Sequence, residues 1–303
     1  MHEASAWVDS QLARRGWTRT GHLRVVRDSY RGQVAALATT AGTMYAKRPA
    51  AFLAPEGMIL SRLASAGRPL PEVVAADTAT GWWLSLDFHG ESPVHDEAGL
   101  MMALRGLGDV QLRAVDEVEY VVRAGCPDYR AERLPAAFHA LLSDQETVAA
   151  LTLHEVASLA ELESRLGRCC VQIAGVLPAT VLHGDLTPWN VARSRTGIVV
   201  LDWANGFVGS PFLDCFMLIA ADQASQRSQR LASAYADTWL AMRPAAVDRD
   251  SLWHQIGAIW AATFALIADR HRRVLIAQPR QAAARDIRRA IRFCGRQLGA
   301  FTT

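Results

Sequence analysis

The sequence predicts an α+β chain, a small β-rich region followed by a large, mainly helical one. Three observations predict it. Strand-like segments joined by glycine-bearing turns crowd into residues 17–88, one helical segment interrupts them, and after Gly90 the strand signal nearly vanishes. At 303 residues the chain suits two domains or a single large domain in two lobes. The boundary is expected at residues 88/89, giving 1–88 and 89–303.

Each element has its reason. Residues 4–15 carry Trp7, Val8 and Leu12 with Gly16 behind them, an amphipathic helix and its stop. Residues 23–26, 34–39 and 44–47 form three short strands. A polar loop at 28–32 and a turn at Ala41-Gly42 separate them, which makes an antiparallel meander. Pro49 and Pro55 punctuate the exit. Pro55 suits the first helical position, and Glu56, Ile59, Leu60 and Leu63 follow at helical spacing toward a stop near Gly67. Residues 73–75 and 82–86 complete a β-β-β-α-β-β order.

Residues 97–180 read as helical, with breaks at 125–127, Pro135 and Pro178. Strand-like pieces return at 181–182 and 198–201 and bracket residues 183–190, with a turn at Thr196-Gly197. Beyond Pro211 the chain reads as helical to its end.

Composition excludes several classes. Half the residues are hydrophobic and 20% are charged, which is ordinary for a globular chain and wrong for a disordered one. The net charge of +2 gives no push toward nucleic acid. Five cysteines, Cys126, Cys169, Cys170, Cys215 and Cys294, form no C-x-x-C pair, so buried thiols in a reducing compartment are expected. Met1-His2-Glu3-Ala4 does not open a signal peptide, and the longest apolar run, residues 256–268, falls short of the about 20 residues a membrane span needs. A cytoplasmic protein with no membrane partner is the expectation.

The sharpest local signal is Val181-Leu182-His183-Gly184-Asp185-Leu186-Thr187-Pro188-Trp189-Asn190, followed by Ile198-Val199-Val200-Leu201-Asp202-Trp203. A short strand delivers Asp185 on a tight loop that also carries Asn190, and a second strand delivers Asp202. Two carboxylates and an amide at neighbouring strand ends can converge. Such hard oxygen donors suit Mg²⁺, which takes the rest of its shell from water and phosphate. One carboxylate is left to accept a proton from a hydroxyl.

These residues resemble the catalytic segment of the aminoglycoside phosphotransferase and choline kinase-like small-molecule kinases, whose fold is protein-kinase-like and bilobal. His-Gly-Asp stands where protein kinases carry His-Arg-Asp, and Asp202-Trp203 follows at the end of the next strand. Gly209-Ser210-Pro211-Phe212-Leu213-Asp214 resembles the family's Gly-x-Pro-x-x-Asp segment. The resemblance covers nearly the whole chain. It implies a nucleotide-binding N-terminal lobe with one key helix, and a helical C-terminal lobe carrying the catalytic loop, the metal site and the acceptor pocket.

The resemblance also implies roles. Asp185 is the catalytic base, and Asn190 and Asp202 hold Mg²⁺. Lys47, on the third strand, neutralises nucleotide phosphate, and Glu56 on the following helix keeps it pointed inward. Backbone groups of Asp87, Phe88 and His89 face the adenine edge. His183 pins the catalytic loop, and Asp214 tethers it to the helix that follows. The implied cofactors are ATP, with GTP as an alternative, and Mg²⁺.

Two departures stand out. Residues 27–33 are not a G-x-G-x-x-G phosphate loop, which points away from protein substrates; Ser29, Arg31 and the amides near Gly32 are left as its phosphate contacts. Ala204-Asn205 stands after Asp202-Trp203 where many relatives carry an acidic residue, putting in doubt any acceptor contact made there. Other candidates read as packing. Gly106-Leu107-Gly108 lacks the third glycine and the preceding strand of a dinucleotide site. The arginines of 280–296 flank an apolar face of Ile287, Ile291, Cys294 and Leu298. Trp253, Trp260 and Phe264 read as core. Glu155, Glu161 and Glu163 have the spacing of a solvated helix face.

The expected partner is a hydroxylated small molecule, with the protein a monomer or homodimer. An antibiotic, aminoglycoside-type or otherwise hydroxylated, leads as acceptor, giving resistance by O-phosphorylation. A sugar, amino-alcohol or nucleoside-type metabolite follows. A kinase-fold binding module without turnover, and a metal-dependent phosphohydrolase, are the readings from other classes. The joint presence of Lys47, Glu56, Asp185, Asn190 and Asp202 argues against both.

Overall fold

The N-terminal strands form one antiparallel sheet of order β1-β2-β3-β5-β4, with β1 Arg24–Ser29, β2 Gly32–Thr39, β3 Gly42–Pro49, β4 Val73–Ala76 and β5 Trp83–Leu86. The computed structural model describes residues 2–64, 69–149, 151–174, 176–219, 225–241 and 249–275. The helix stop near Gly67, the side chain of Trp253 and the face of Ile287, Ile291, Cys294 and Leu298 lie outside the described residues. Strand β1 runs through Asp28 and Ser29, two residues into the segment expected to be a polar loop. The ladder continues through Asp28↔Gln33 to Ser29↔Gly32 and leaves a two-residue turn, Tyr30-Arg31. Strand β3 is central and pairs Lys47 with Val34 on one side and Trp83 on the other.

Two helices fix this sheet. Helix α1 (His2–Ala13) lays Ala4, Val8 and Leu12 against Leu37, Met44, Trp82 and Leu84. Full burial of a leucine such as Leu12 contributes about 1.5–3 kcal/mol. Helix α2 (Glu56–Leu63) follows Pro55, which sits at the cap rather than inside the first turn. Gly57 lets α2 press onto β5, since a Cβ there would lie 2.4 Å from that of Trp83. This close approach leaves Glu56 1% exposed. Helix α3 (Glu97–Ala114) is capped by Asp96, which accepts from the Gly99 N–H at 2.8 Å, and α4 (Val118–Arg123) follows. Gly106 and Gly108 lie inside α3, as their lack of a preceding strand implies.

The chain divides into two compact units, Met1–Cys126 with Asp185–Gly206, and Pro127–Gly184 with Phe207–Thr303. Contacts thus divide the chain elsewhere than at residues 88/89, and the segment from Asp185 to Gly206 belongs with the sheet. The second unit begins with α5 (Leu134–Ser143), which Pro135 opens rather than breaks. It continues with α6 (Gln145–Ala149), α7 (Leu153–Ile173) and the short strand β6 (Thr180–Leu182). The chain then returns to the first unit as the hairpin β7 (Val191–Ser194) and β8 (Gly197–Val200). In the second unit again, β9 (Phe207–Gly209) pairs with β6, and α8 (Phe212–Ile219), α9 (Gln226–Leu240) and α10 (Arg249–Leu275) follow.

Helix α10 packs on α5, α7 and α8, with Trp260 stacked on Phe264 at 5.0 Å between ring centroids. Glu155 is not on a solvated face. It is buried and closes the capping box that starts α7, exchanging hydrogen bonds with Thr152. Cys126, Cys169, Cys170 and Cys215 are buried free thiols, and burial pushes Cys170 up to about 12, which makes it a poor nucleophile. Among the described residues no helix is long and apolar enough to cross a membrane.

Candidate active site

Lys47 leaves β3 toward the start of α2, where Glu56 receives it. The ammonium nitrogen lies 2.9 Å from Glu56 Oε1 and 2.8 Å from Oε2, and 2.6 Å from Asp202 Oδ1. Burial acts against its charge, but Glu56 and Asp202 outweigh that and hold Lys47 above its ordinary value. Glu56 is pulled up by burial, while Lys47 and the Trp203 N–H, 2.9 Å from Oε1, oppose the shift. The backbone is stitched at the same place, since the Ala54 N–H donates to the Ala204 carbonyl at 2.9 Å. Helix α2 and the turn after Asp202 are thus joined by both a side-chain and a backbone hydrogen bond.

Asp202 follows β8 with φ +61°, a left-handed conformation that costs a non-glycine residue on the order of 1 kcal/mol or more. Its neighbours over-determine that conformation through the Trp203 and Ala204 hydrogen bonds. Across the site, the Leu201 N–H donates to the Asn190 carbonyl at 2.8 Å. Asn190 Nδ2 in turn donates to the Asp185 carbonyl at 2.8 Å, which turns the amide oxygen of Asn190 away from that bond.

Asp185 is partly buried, and burial, with Asp202 adding, raises its carboxyl to about 6. Arg31 and side-chain hydrogen bonds from Asn190 and Asn205 pull the other way. Asn205 is the site residue that sequence reasoning misses. In the sequence it stands out only for failing to be acidic, whereas it is 5% exposed and donates to Asp185. The departure from an acidic residue is the signal available.

A cavity of about 310 Å³ lies within the first unit, and neither Asp185 nor Asn205 is part of its wall. Lys47, Glu56, Asn190 and Asp202 line it, together with Ser29, Arg31 and Phe88. That volume lies at the lower end of small-molecule sites. The segment expected at the adenine edge is only partly available. The Asp87 N–H donates to the Thr43 carbonyl at 3.0 Å, and the His89 N–H donates to Asp87 Oδ1 at 2.9 Å. His89 itself is half exposed with φ +49°.

The donor set fits Mg²⁺. Among the described residues no three His, Cys, Asp or Glu side chains gather as a metal cage. One carboxylate, Asp202, and the amide oxygen of Asn190 are hard donors, too few for a closed shell and suited to an ion that arrives with phosphate.

In the second unit Asp214, on α8, is 1% exposed and accepts from two consecutive amides, His183 at 2.7 Å and Gly184 at 2.8 Å. The imidazole of His183 is fully buried. Both sit where the chain runs into Asp185.

No curated protein sequence matches the chain. Among solved structures, the GDP complex of a mutant aminoglycoside 2′-phosphotransferase-IIIa superposes with TM-score 0.65 at 13% identity, covering 99% of each chain. Choline kinase LicA from Streptococcus pneumoniae gives 0.64 at 11% identity, covering 97% of this chain and 99% of its own. The macrolide 2′-phosphotransferase MphH from Brachybacterium faecium gives 0.60 at 18%, covering 94% and 98%. At these identities the likeness shows the fold, an antiparallel sheet followed by a helical region as in kinases. The sequence itself matches the family described as phosphotransferase enzyme family (APH) over residues 22–249, well over half its length. The chain belongs to this phosphotransferase enzyme family.

Proposed function

We propose that this chain transfers the terminal phosphoryl group of ATP, with GTP as the alternative donor, to a hydroxyl of a small molecule. The observation that carries this reading is the unbroken chain of contacts from Glu56 through Lys47 to Asp202, opening on the same cavity as Asn190. A phosphohydrolase would leave the Lys47–Glu56 pair without work, and a pure binding module has no need of Asp185 raised toward neutrality. Solved structures of the same fold carry GDP in one case and AMP in another, which supports a nucleotide in this cavity.

The residues then act as follows. Lys47 meets nucleotide phosphate with a charge that Glu56 orients. Phe88 and the backbone beside it receive the base, and Ser29 the phosphates. Asp202 and Asn190 would hold Mg²⁺, which would supply neutralisation of phosphate charge. The acceptor oxygen attacks the terminal phosphorus, the bond from that phosphorus to the bridging oxygen breaks, and ADP leaves. Asp185 accepts the hydroxyl proton. Its raised pKa suits the task, since a base near 6 is ionised at neutral pH yet still binds the proton. The contribution of the protein is mainly position and charge.

Hydroxylated antibiotics are the first acceptor class, with inactivation by O-phosphorylation as the outcome. Sugars, amino alcohols and nucleoside-type metabolites form the second. Radiolabelled Mg-ATP incubated with panels of both classes tests the reading. Transfer to one class, abolished by Asp185→Ala with folding intact, is the expected result. Phosphate release from simple esters without nucleotide would replace the reading with hydrolysis.

A further inference from the structure

The turn between β1 and β2 occupies the place of a phosphate loop, yet it reads Ser29-Tyr30-Arg31-Gly32 and is firmly held. Tyr30 stacks on Phe52 with centroids 6.3 Å apart and planes within 6°. Ser29 Oγ accepts from the Arg31 N–H at 3.3 Å, and the Ala50 N–H donates to the Arg31 carbonyl at 2.9 Å. Gly32, at φ +127°, lies flat on the end of β3, where a Cβ would meet the Arg48 carbonyl oxygen at 2.2 Å. A turn tied down in this way is not the pliable backbone cradle that a glycine-rich loop provides.

What the turn offers is a side chain. Arg31 lines the cavity with Lys47, Asn190 and Asp202, and its Nη2 is buried without a hydrogen-bond acceptor. A buried donor left unmade is costly and calls for a partner. Arg31 also supplies the charge of opposite sign acting on Asp185. No residue of the Lys47–Glu56–Asp202 chain bonds it, so its buried Nη2 is open to an anion that enters the cavity.

We propose that Arg31 grips the terminal phosphates of the nucleotide, a side-chain fork standing in for the missing backbone cradle. This rests on the nucleotide reading above and deepens it. Guanidinium matches phosphate with paired, charge-assisted hydrogen bonds. The grip selects for the number of phosphates, because a nucleotide lacking the terminal ones does not reach it.

Isothermal titration of Mg-ATP, Mg-ADP and AMP into the wild type, Arg31→Gln and Arg31→Lys tests this, with unfolding curves confirming that each variant folds. Charge-assisted bonds of this kind predict that Arg31→Gln weakens Mg-ATP by roughly tenfold to a hundredfold. Mg-ADP should lose less, AMP should stay within about twofold by the same argument, and Arg31→Lys should recover part of the loss. Equal Mg-ATP affinity in wild type and Arg31→Gln overturns the proposal, as does an equal loss for ATP and AMP. A wild type that binds none of the three overturns the nucleotide reading and this inference with it. Binding by the wild type that is indifferent to Arg31 overturns only the inference.

Discussion

Lys47 Nζ lies 2.6 Å from Asp202 Oδ1, nearer than to either oxygen of Glu56 at 2.8 and 2.9 Å. One ammonium is thus shared by the buried helix carboxylate and the carboxylate proposed to hold the metal. Lys47 stands beside Asp202 where the proposed metal would bind, so binding would exchange one cation for another at Asp202.

Removing either end of this chain has unequal consequences. The Glu56 side chain has no exposure, so Lys47→Ala strands a buried carboxylate and should cost on the order of 3 kcal/mol. Glu56→Gln leaves Lys47 paired with Asp202 and should cost about 1–2 kcal/mol. Urea unfolding of the two variants checks the order, and equal losses would show that the pair is not the buried contact described.

The raised pKa of Asp185 makes a stability prediction with a definite sign. Its folded value of about 6 lies above the roughly 3.9 of an unfolded aspartate, so ionisation is penalised in the fold. The penalty is absent below about pH 4, grows between pH 4 and 6, and is complete above. Asp185→Asn should therefore raise Tm at pH 7.5, by on the order of 1–3 kcal/mol of stability, and leave it unchanged near pH 4. A Tm gain that is the same at both pH values would contradict the assignment.

The same group is proposed to govern rate. As the proposed proton acceptor Asp185 would have to be ionised, so kcat/KM should fall with acid along a limb near pH 6. Asn205→Asp places a second carboxylate beside it and should move that limb upward by about one pH unit, with a lower plateau. Asn205→Ala removes a hydrogen bond to the ionised form and should move the limb in the same direction. A limb unmoved by both variants would remove Asn205 from the site.

Much of this site is legible in the chain because its residues announce themselves locally. Asp185 and Asn190 share one loop, and Asp202 ends the next strand. Lys47 and Glu56 stand nine residues apart across a strand-to-helix exit. Strand alternation and glycine turns place the sheet for the same reason. What stays hidden depends on long-range packing. Strand β7 carries Arg193 and Ser194 and takes its form from pairing with β8 and from the backbone hydrogen bonds Arg193 exchanges with Glu91. Glu155 is the exception: its burial follows from a local Thr152-x-x-Glu155 capping box that the chain does carry and that helix-face spacing alone does not reveal. Asn205 matters only through Asp185, a contact made across the fold, and no period or motif encodes it.

Thermal unfolding of the purified protein with Mg²⁺ alone, ATP alone and Mg-ATP tests the central claim most directly. Saturation at about 100 times Kd adds roughly 2.7 kcal/mol, enough to raise Tm by several degrees in a chain of this size. The account predicts a rise specific to Mg-ATP that Asp202→Ala abolishes. A protein whose Tm is indifferent to millimolar Mg-ATP, alone and with each acceptor class added, would contradict it.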